Sequence, residues 1–196
     1  MVGIRFKPKV TRFLFLGGSI TSGAYASGQL QQMFRAEFCG GYLAPCCLGQ
    51  GADCRPALRA RLKPALTSLL PNVEILDCPD ESLGAYAEIA RRAQILYFAG
   101  GSELEYKRNV SKESLAEIVR GKTVLASSAG VNIFSSQFFS NDRGTVEEGL
   151  GVLALQTICH YDPAKAERAA KLAQACSPQL AVCLGETDFI EIFSEI

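Results

Sequence analysis

Short apolar runs of strand length alternate along this chain with segments whose apolar residues recur every three or four positions, and that alternation constrains the fold more than any other feature. It is the pattern of a parallel sheet covered by helices, because parallel neighbours need a connection long enough to return across the sheet. Residues 13–16, 42–47, 73–76, 95–98, 123–126, 152–157 and 180–184 read as strands. Helical periodicity marks residues 29–38, 56–70, 82–92, 111–120 and 163–175, with Ser82 and Ser111 as caps and Pro163 at a favoured first position. Residues 189–192 are expected to form a terminal hairpin with the strand before them. The expected fold is α/β: one three-layer α/β/α domain over residues 1–196, built on a mostly parallel, doubly wound sheet.

Charge narrows the partners. Twenty Lys and Arg balance twenty Asp and Glu, so no basic excess is available for a phosphate backbone, and nucleic acid is not an expected partner. The opening stretch Met1-Val-Gly-Ile-Arg-Phe-Lys-Pro-Lys-Val10 breaks its apolar residues with charges, and no run of about 18 uncharged apolar residues occurs, so neither export nor a membrane span is expected. The reading is a soluble, cytoplasmic protein acting on a small molecule; a homodimer is compatible with it.

Eight cysteines (39, 46, 47, 54, 78, 159, 176 and 183) lack any C-x-x-C spacing, and several sit in apolar runs such as Leu-Ala-Val-Cys183-Leu. They are expected to be reduced, buried and inert. His160 is the lone histidine, so two-histidine metal motifs are excluded and any imidazole chemistry must pass through it. Neither a metal nor another cofactor is expected.

In open α/β sheets ligands collect beyond the carboxyl ends of the strands. Four segments fall there: Gly17-Gly18-Ser19, Gly100-Gly101-Ser102, Ser127-Ser128-Ala129-Gly130 and the stretch around His160. Ser128 stands where a strand turns sharply into a helix, among small residues, as in a nucleophile elbow; Ala126 occupies the position where the G-x-S-x-G pattern has its first glycine. His160 follows a later strand and can serve as base above the same sheet edge. Asp142, Glu186 and Asp188 are candidate acids for the imidazole, and spacing does not choose among them. The Gly101 and Ala129 amides can face a developing oxyanion. Gly17-Gly18-Ser19 has neither the G-x-G-x-x-G pattern nor a Walker lysine and reads as a turn lining the cleft.

The segments Ile95-Leu-Tyr-Phe-Ala-Gly-Gly-Ser-Glu-Leu and Ser127-Ser-Ala-Gly-Val-Asn132 resemble the glycine turn and nucleophile segment of the peptidase E and cyanophycinase serine peptidases. Asn141-Asp142, then Gly149 to Gln156, then His160-Tyr161 is similar in order and spacing to the peptidase E stretch that carries acid, strand and base. The resemblance covers residues 97–189. It departs at Ala126, at Gly-Gly-Ser in place of Gly-Gly-Asn, and in the short length of the chain.

The resemblance implies a class I glutamine amidotransferase-like fold and a triad of Ser128, His160 and Asp142, with Glu186 as the acid in the cyanophycinase-like arrangement. It further implies cleavage of small, aspartyl dipeptide-like substrates through an acyl-enzyme, with Gly100, Ser102, Arg143 and Arg168 near the substrate and Lys107 and Arg108 as further cations. Three rivals remain: a non-catalytic binding module on the same fold, a cyanophycinase-like β-aspartyl peptidase, and a cysteine hydrolase using Cys47 or Cys159.

Overall fold

The computed structural model describes residues 10–22, 29–77, 82–175 and 179–196. The segment used above to argue against export, residues 1–9, and the thiols Cys78 and Cys176 lie outside the described residues.

A six-stranded sheet forms the centre. Its strands are β1 (Val10–Leu16), β2 (Tyr42–Cys46), β3 (Glu74–Ile75), β4 (Ile95–Phe98), β5 (Thr123–Ser127) and β10 (Phe189–Glu195), in the order β10-β1-β5-β4-β2-β3. β1 to β5 run parallel, and β10 joins the edge antiparallel to β1. The connecting helices are α1 (Gln29–Glu37), α2 (Arg55–Leu69), α3 (Leu83–Arg92), α4 (Glu103–Asn109) and α5 (Lys112–Val119). Ser82, Ser102 and Ser111 cap three of them by accepting a backbone N–H in the first turn, which satisfies one of the orphan donors of each helix end.

Alternation along β1 shows how one strand supplies two layers. Phe13 and Phe15 belong to one core cluster and Leu14 and Leu16 to the other, all four fully buried, because successive side chains point to opposite faces of a strand covered on both sides. The first cluster centres on Phe134, whose ring meets those of Phe13, Phe15 and Phe98 at centroid distances of 5.3, 5.9 and 5.0 Å. Each such pair adds about 0.5–1.5 kcal/mol beyond area burial. Phe134 lies just past the short helix α6 (Ala129–Asn132), so the most crowded part of the core fixes the element that begins after Ser128.

A second, four-stranded sheet carries the C-terminal half of the fold: β7 (Thr145–Glu148), β6 (Gln137–Ser140), β8 (Leu155–Cys159) and β9 (Leu180–Leu184), in that order, with helix α7 (Ala166–Ala175) packed on it. The result is the expected three-layer α/β/α architecture with a mostly parallel central sheet.

Three local features differ from expectation. The segment 189–192 does not pair with 180–184: β9 lies parallel to β8, and β10 crosses to the other sheet to cover β1 over its whole length. A β9–β10 hairpin would have left the β1 edge open, with seven residues of unpaired backbone. The strand expected at 152–157 is also displaced, to Leu155–Cys159. Leu150 and Leu153 instead donate their N–H groups to the carbonyls of Ile133 and Phe134, wrapping the end of α6. The 137–148 region, where the sequence suggested no strand, forms the β6–β7 hairpin.

Candidate active site

Ser128 sits between β5 and α6 with φ 53° and ψ −123°, a conformation that costs a non-glycine residue about 1–3 kcal/mol. Its surroundings hold it there. The Ser128 carbonyl accepts the N–H groups of Val131 and Asn132 at 2.8 and 3.1 Å, and the glycine two positions later lets α6 pass against the end of β4. Ala126 is fully buried in the core cluster around Phe134, so its methyl group faces the core and leaves the turn undisturbed.

His160 also has a left-handed backbone, φ 54°, directly after β8. Three bonds pin it: its own N–H donates to Gly17 O at 3.0 Å, Tyr161 N–H to Leu184 O at 2.8 Å, and Asn141 Nδ2 to the Cys159 carbonyl at 2.6 Å. The imidazole lies between two partners, with Nε2 3.0 Å from Ser128 Oγ and Nδ1 2.5 Å from Glu186 Oε1. With the proton on Nδ1 directed at the carboxylate, Nε2 is left to accept from the serine hydroxyl.

Glu186, not Asp142, is therefore the carboxylate that meets the histidine. It projects from the turn between β9 and β10, which Asp188 Oδ2 closes by accepting Gly185 N–H at 2.9 Å, so Asp188 organises the turn. Asp142 is exposed in the β6–β7 turn. Its neighbour Asn141, rather than Asp142 itself, reaches back to the histidine segment.

The glycine turn after β4 lies beside the serine: a Cβ on Gly100 would be 3.2 Å from Ser128 Cβ. Gly101 has φ 151°, and a Cβ there would approach Gly49 O to 2.4 Å and Gln50 Nε2 to 2.6 Å. Ser102 is occupied as the cap of α4, and its N–H donates to Gly49 O at 2.7 Å. Among the described residues, no hydrogen-bond partner is found for the backbone N–H of Gly101 or of Ala129.

The four expected cations are engaged elsewhere. Arg143 pairs with Glu147 at 2.7 Å, Arg108 with Glu105 at 2.5 Å, and Lys107 with the Glu148 carbonyl. Arg168 donates to Asn141 Oδ1 at 2.6 Å and lies over the Phe139 ring, bracing the strand end that carries the histidine. The sequence reading missed Gln50, whose Nε2 donates to the Gly100 carbonyl at 3.1 Å; its signal was the Gly49-Gln50-Gly51 turn after an apolar run.

The six described cysteines are free thiols, but Cys39 and Cys54 are exposed and Cys183 is half-buried, so only Cys46, Cys47 and Cys159 fit the buried expectation. Burial, aided by the charges of Glu103 and Glu186, pushes the Cys159 thiol strongly up, and its Sγ faces the Ser128 carbonyl and Asn132 Oδ1. A buried, protonated thiol is a poor nucleophile. No group of three or more metal-ligating side chains is present among the described residues, and no described helix is long and apolar enough to cross a membrane.

Two solved structures share this architecture. A peptidase from an acI-B1 actinobacterium superposes with a TM-score of 0.60 at 16% identity, over 95% of this chain and 85% of its own. A peptidase E candidate from Listeria monocytogenes EGD-e superposes with a TM-score of 0.57 at 20% identity, over 95% of this chain and 99% of its own. The chain has a peptidase E-like fold. No family model and no curated protein matches the sequence. The likeness of peptidase E and this chain thus lies in the path of the backbone.

Proposed function

We propose that this chain is a serine hydrolase of the peptidase E type, with Ser128 as nucleophile, His160 as base and Glu186 as the acid that orients the imidazole. One observation carries the reading: a serine in a strained strand-to-helix turn shares a single imidazole with a carboxylate, at 3.0 and 2.5 Å. A structural serine has no need of such a turn, and it would not require a second strained residue, His160, to face it.

The chemistry follows from the donor directions. Ser128 Oγ attacks the substrate carbonyl carbon while its proton passes to His160 Nε2, and Glu186 stabilises the resulting imidazolium through the Nδ1–H bond. The N–H groups of Gly101 and Ala129 receive the oxyanion. The imidazolium then protonates the leaving amine, the C–N bond breaks, and water activated by the same nitrogen hydrolyses the ester.

The substrate class is a small peptide of the aspartyl dipeptide type. A β-aspartyl peptide is the second reading, favoured by the acid coming from the turn after β9, the cyanophycinase-like arrangement. A fluorophosphonate probe is expected to label Ser128, as located by peptide mapping, and a panel of Asp-X and β-Asp-Arg dipeptides is expected to be cleaved by the wild type and not by Ser128→Ala. Absence of labelling under conditions that label a control peptidase would leave the chain a binding module on a hydrolase fold.

A further inference from the structure

An oxyanion site made of backbone amides works only if each peptide plane is turned the right way, because a plane rotated by half a turn offers its carbonyl instead of its N–H. The plane between Gly100 and Gly101 has no side chain to fix it, and glycine on both sides makes rotation cheap. Something must choose its orientation.

We propose that Gln50 is the positioning residue that makes this choice. Its Nε2 donates to the Gly100 carbonyl at 3.1 Å. In a trans peptide the C=O and the following N–H point in opposite directions, so a carbonyl drawn towards Gln50 sends the Gly101 N–H away from Gln50. Gly100 itself lies beside the nucleophile, where a Cβ on it would be 3.7 Å from Ser128 Oγ, so the N–H turned away from Gln50 belongs to the turn that flanks the serine. The inference rests on the hydrolase reading and adds to it the residue that sets the oxyanion-binding plane.

The loop bearing Gln50 is itself anchored from two directions. Arg55, buried at the start of α2, donates Nε to the Gln50 carbonyl at 2.9 Å, and Gln50 N–H donates to Cys47 O at 2.9 Å. Gly49 O accepts Ser102 N–H at 2.7 Å, fastening the far side of the glycine turn to the same loop. The loop therefore grips the turn at Gly100 and at Ser102, and Gly101 between them has no room for a side chain because a Cβ would strike Gly49 O and Gln50 Nε2.

Gln50→Met keeps the length of the side chain and removes the donor; Gln50→Glu places a carboxylate against the Gly100 carbonyl and favours the flipped plane. On the best dipeptide substrate, kcat is expected to fall about 10- to 10³-fold in both variants, more in Gln50→Glu, with KM within about threefold, in line with the loss of one oxyanion donor. Affinity for a peptide aldehyde, whose hemiacetal oxygen occupies the same place, is expected to fall in parallel. Asn109→Ala, which loosens the same loop at Leu48 O without touching Gly100, is expected to retain wild-type kcat.

Variants at Gln50 with wild-type kcat, an equal loss in Asn109→Ala, or a fall in kcat with unchanged aldehyde affinity would each overturn the assignment. If the wild type itself neither cleaves the panel nor reacts with a fluorophosphonate, it is the hydrolase reading that fails.

Discussion

A Cβ on Gly130 would lie 2.3 Å from the carbonyl oxygen of Phe98, so the helix that starts after Ser128 rests directly against the end of the neighbouring strand. The elbow is thus shaped by a glycine that is two residues away from the serine and packed against the backbone.

Gly130→Ala is expected to push α6 away from β4, because the atom it strikes is main chain and cannot turn aside. Overpacking of this kind costs about 1–3 kcal/mol. A thermal melt should show the lower Tm, and fluorophosphonate labelling of Ser128 should slow by more than about tenfold, since a misplacement of about 1 Å costs roughly 10²-fold in rate. Unchanged labelling would mean that the turn is held by something else.

Glu186 and Asp142 can be separated by isosteric substitution. Glu186→Gln keeps the shape but lets the amide favour the wrong imidazole tautomer, an exchange that costs up to about 10⁴-fold in a buried triad. Glu186 is 61% exposed, so water can partly substitute and a fall of about 10²–10³-fold in kcat is expected. Asp142→Asn should stay within about twofold of wild type. Steady-state kinetics on one dipeptide decides between them, and the reverse ranking would reinstate Asp142.

Stability should fall on the alkaline side. Burial raises Cys159 and Tyr106 in the folded state, and half-burial raises Cys183. Below the ordinary thiol value of 9.0 these groups are protonated in both states and contribute no pH dependence. Above it the unfolded chain releases thiol protons that the folded chain retains, so ΔG of unfolding declines, and Tyr106 adds to the decline beyond its ordinary value of 10.0. Urea titrations at pH 8 and about pH 10 should show the midpoint falling; Cys159→Ala should flatten the slope.

Iodoacetamide should modify Cys39 and Cys54 in the native protein and leave Cys46, Cys47 and Cys159 unmodified until unfolding, with peptidase activity intact. Mass mapping after native alkylation measures this. Loss of activity together with modification of Cys159 would revive the cysteine hydrolase.

Most of the α/β pattern was legible because buried strands such as 95–98 and amphipathic helices such as 56–70 carry their period in the sequence itself, and serine caps mark the starts of α3 and α5. What was not legible depended on distant pairing. Nothing within residues 189–195 says that they will cover β1 rather than β9, since either pairing uses the same alternating residues. The strand expected at 152–157 begins with residues that instead pack near the end of α6, through contacts that local periodicity does not record. Ser128 and His160 could be selected because chemistry at a strand end needs few residue types and histidine occurs once. The acid could not, because three carboxylates had suitable spacing and only the fold shows which one reaches Nδ1.

Gly17 donates its N–H to Asp188 O and accepts from His160 N–H, each at 3.0 Å, while a Cβ on it would strike the carbonyls of Leu184 and Gly185. Ser128 follows a strand of the six-stranded sheet, and His160 and Glu186 follow strands of the four-stranded one, so this one residue rivets together the halves of the proposed reaction centre. In the proposed hydrolase, proton transfer across the 3.0 Å gap would report on the joint between the sheets, and a slippage too small to melt either would silence it.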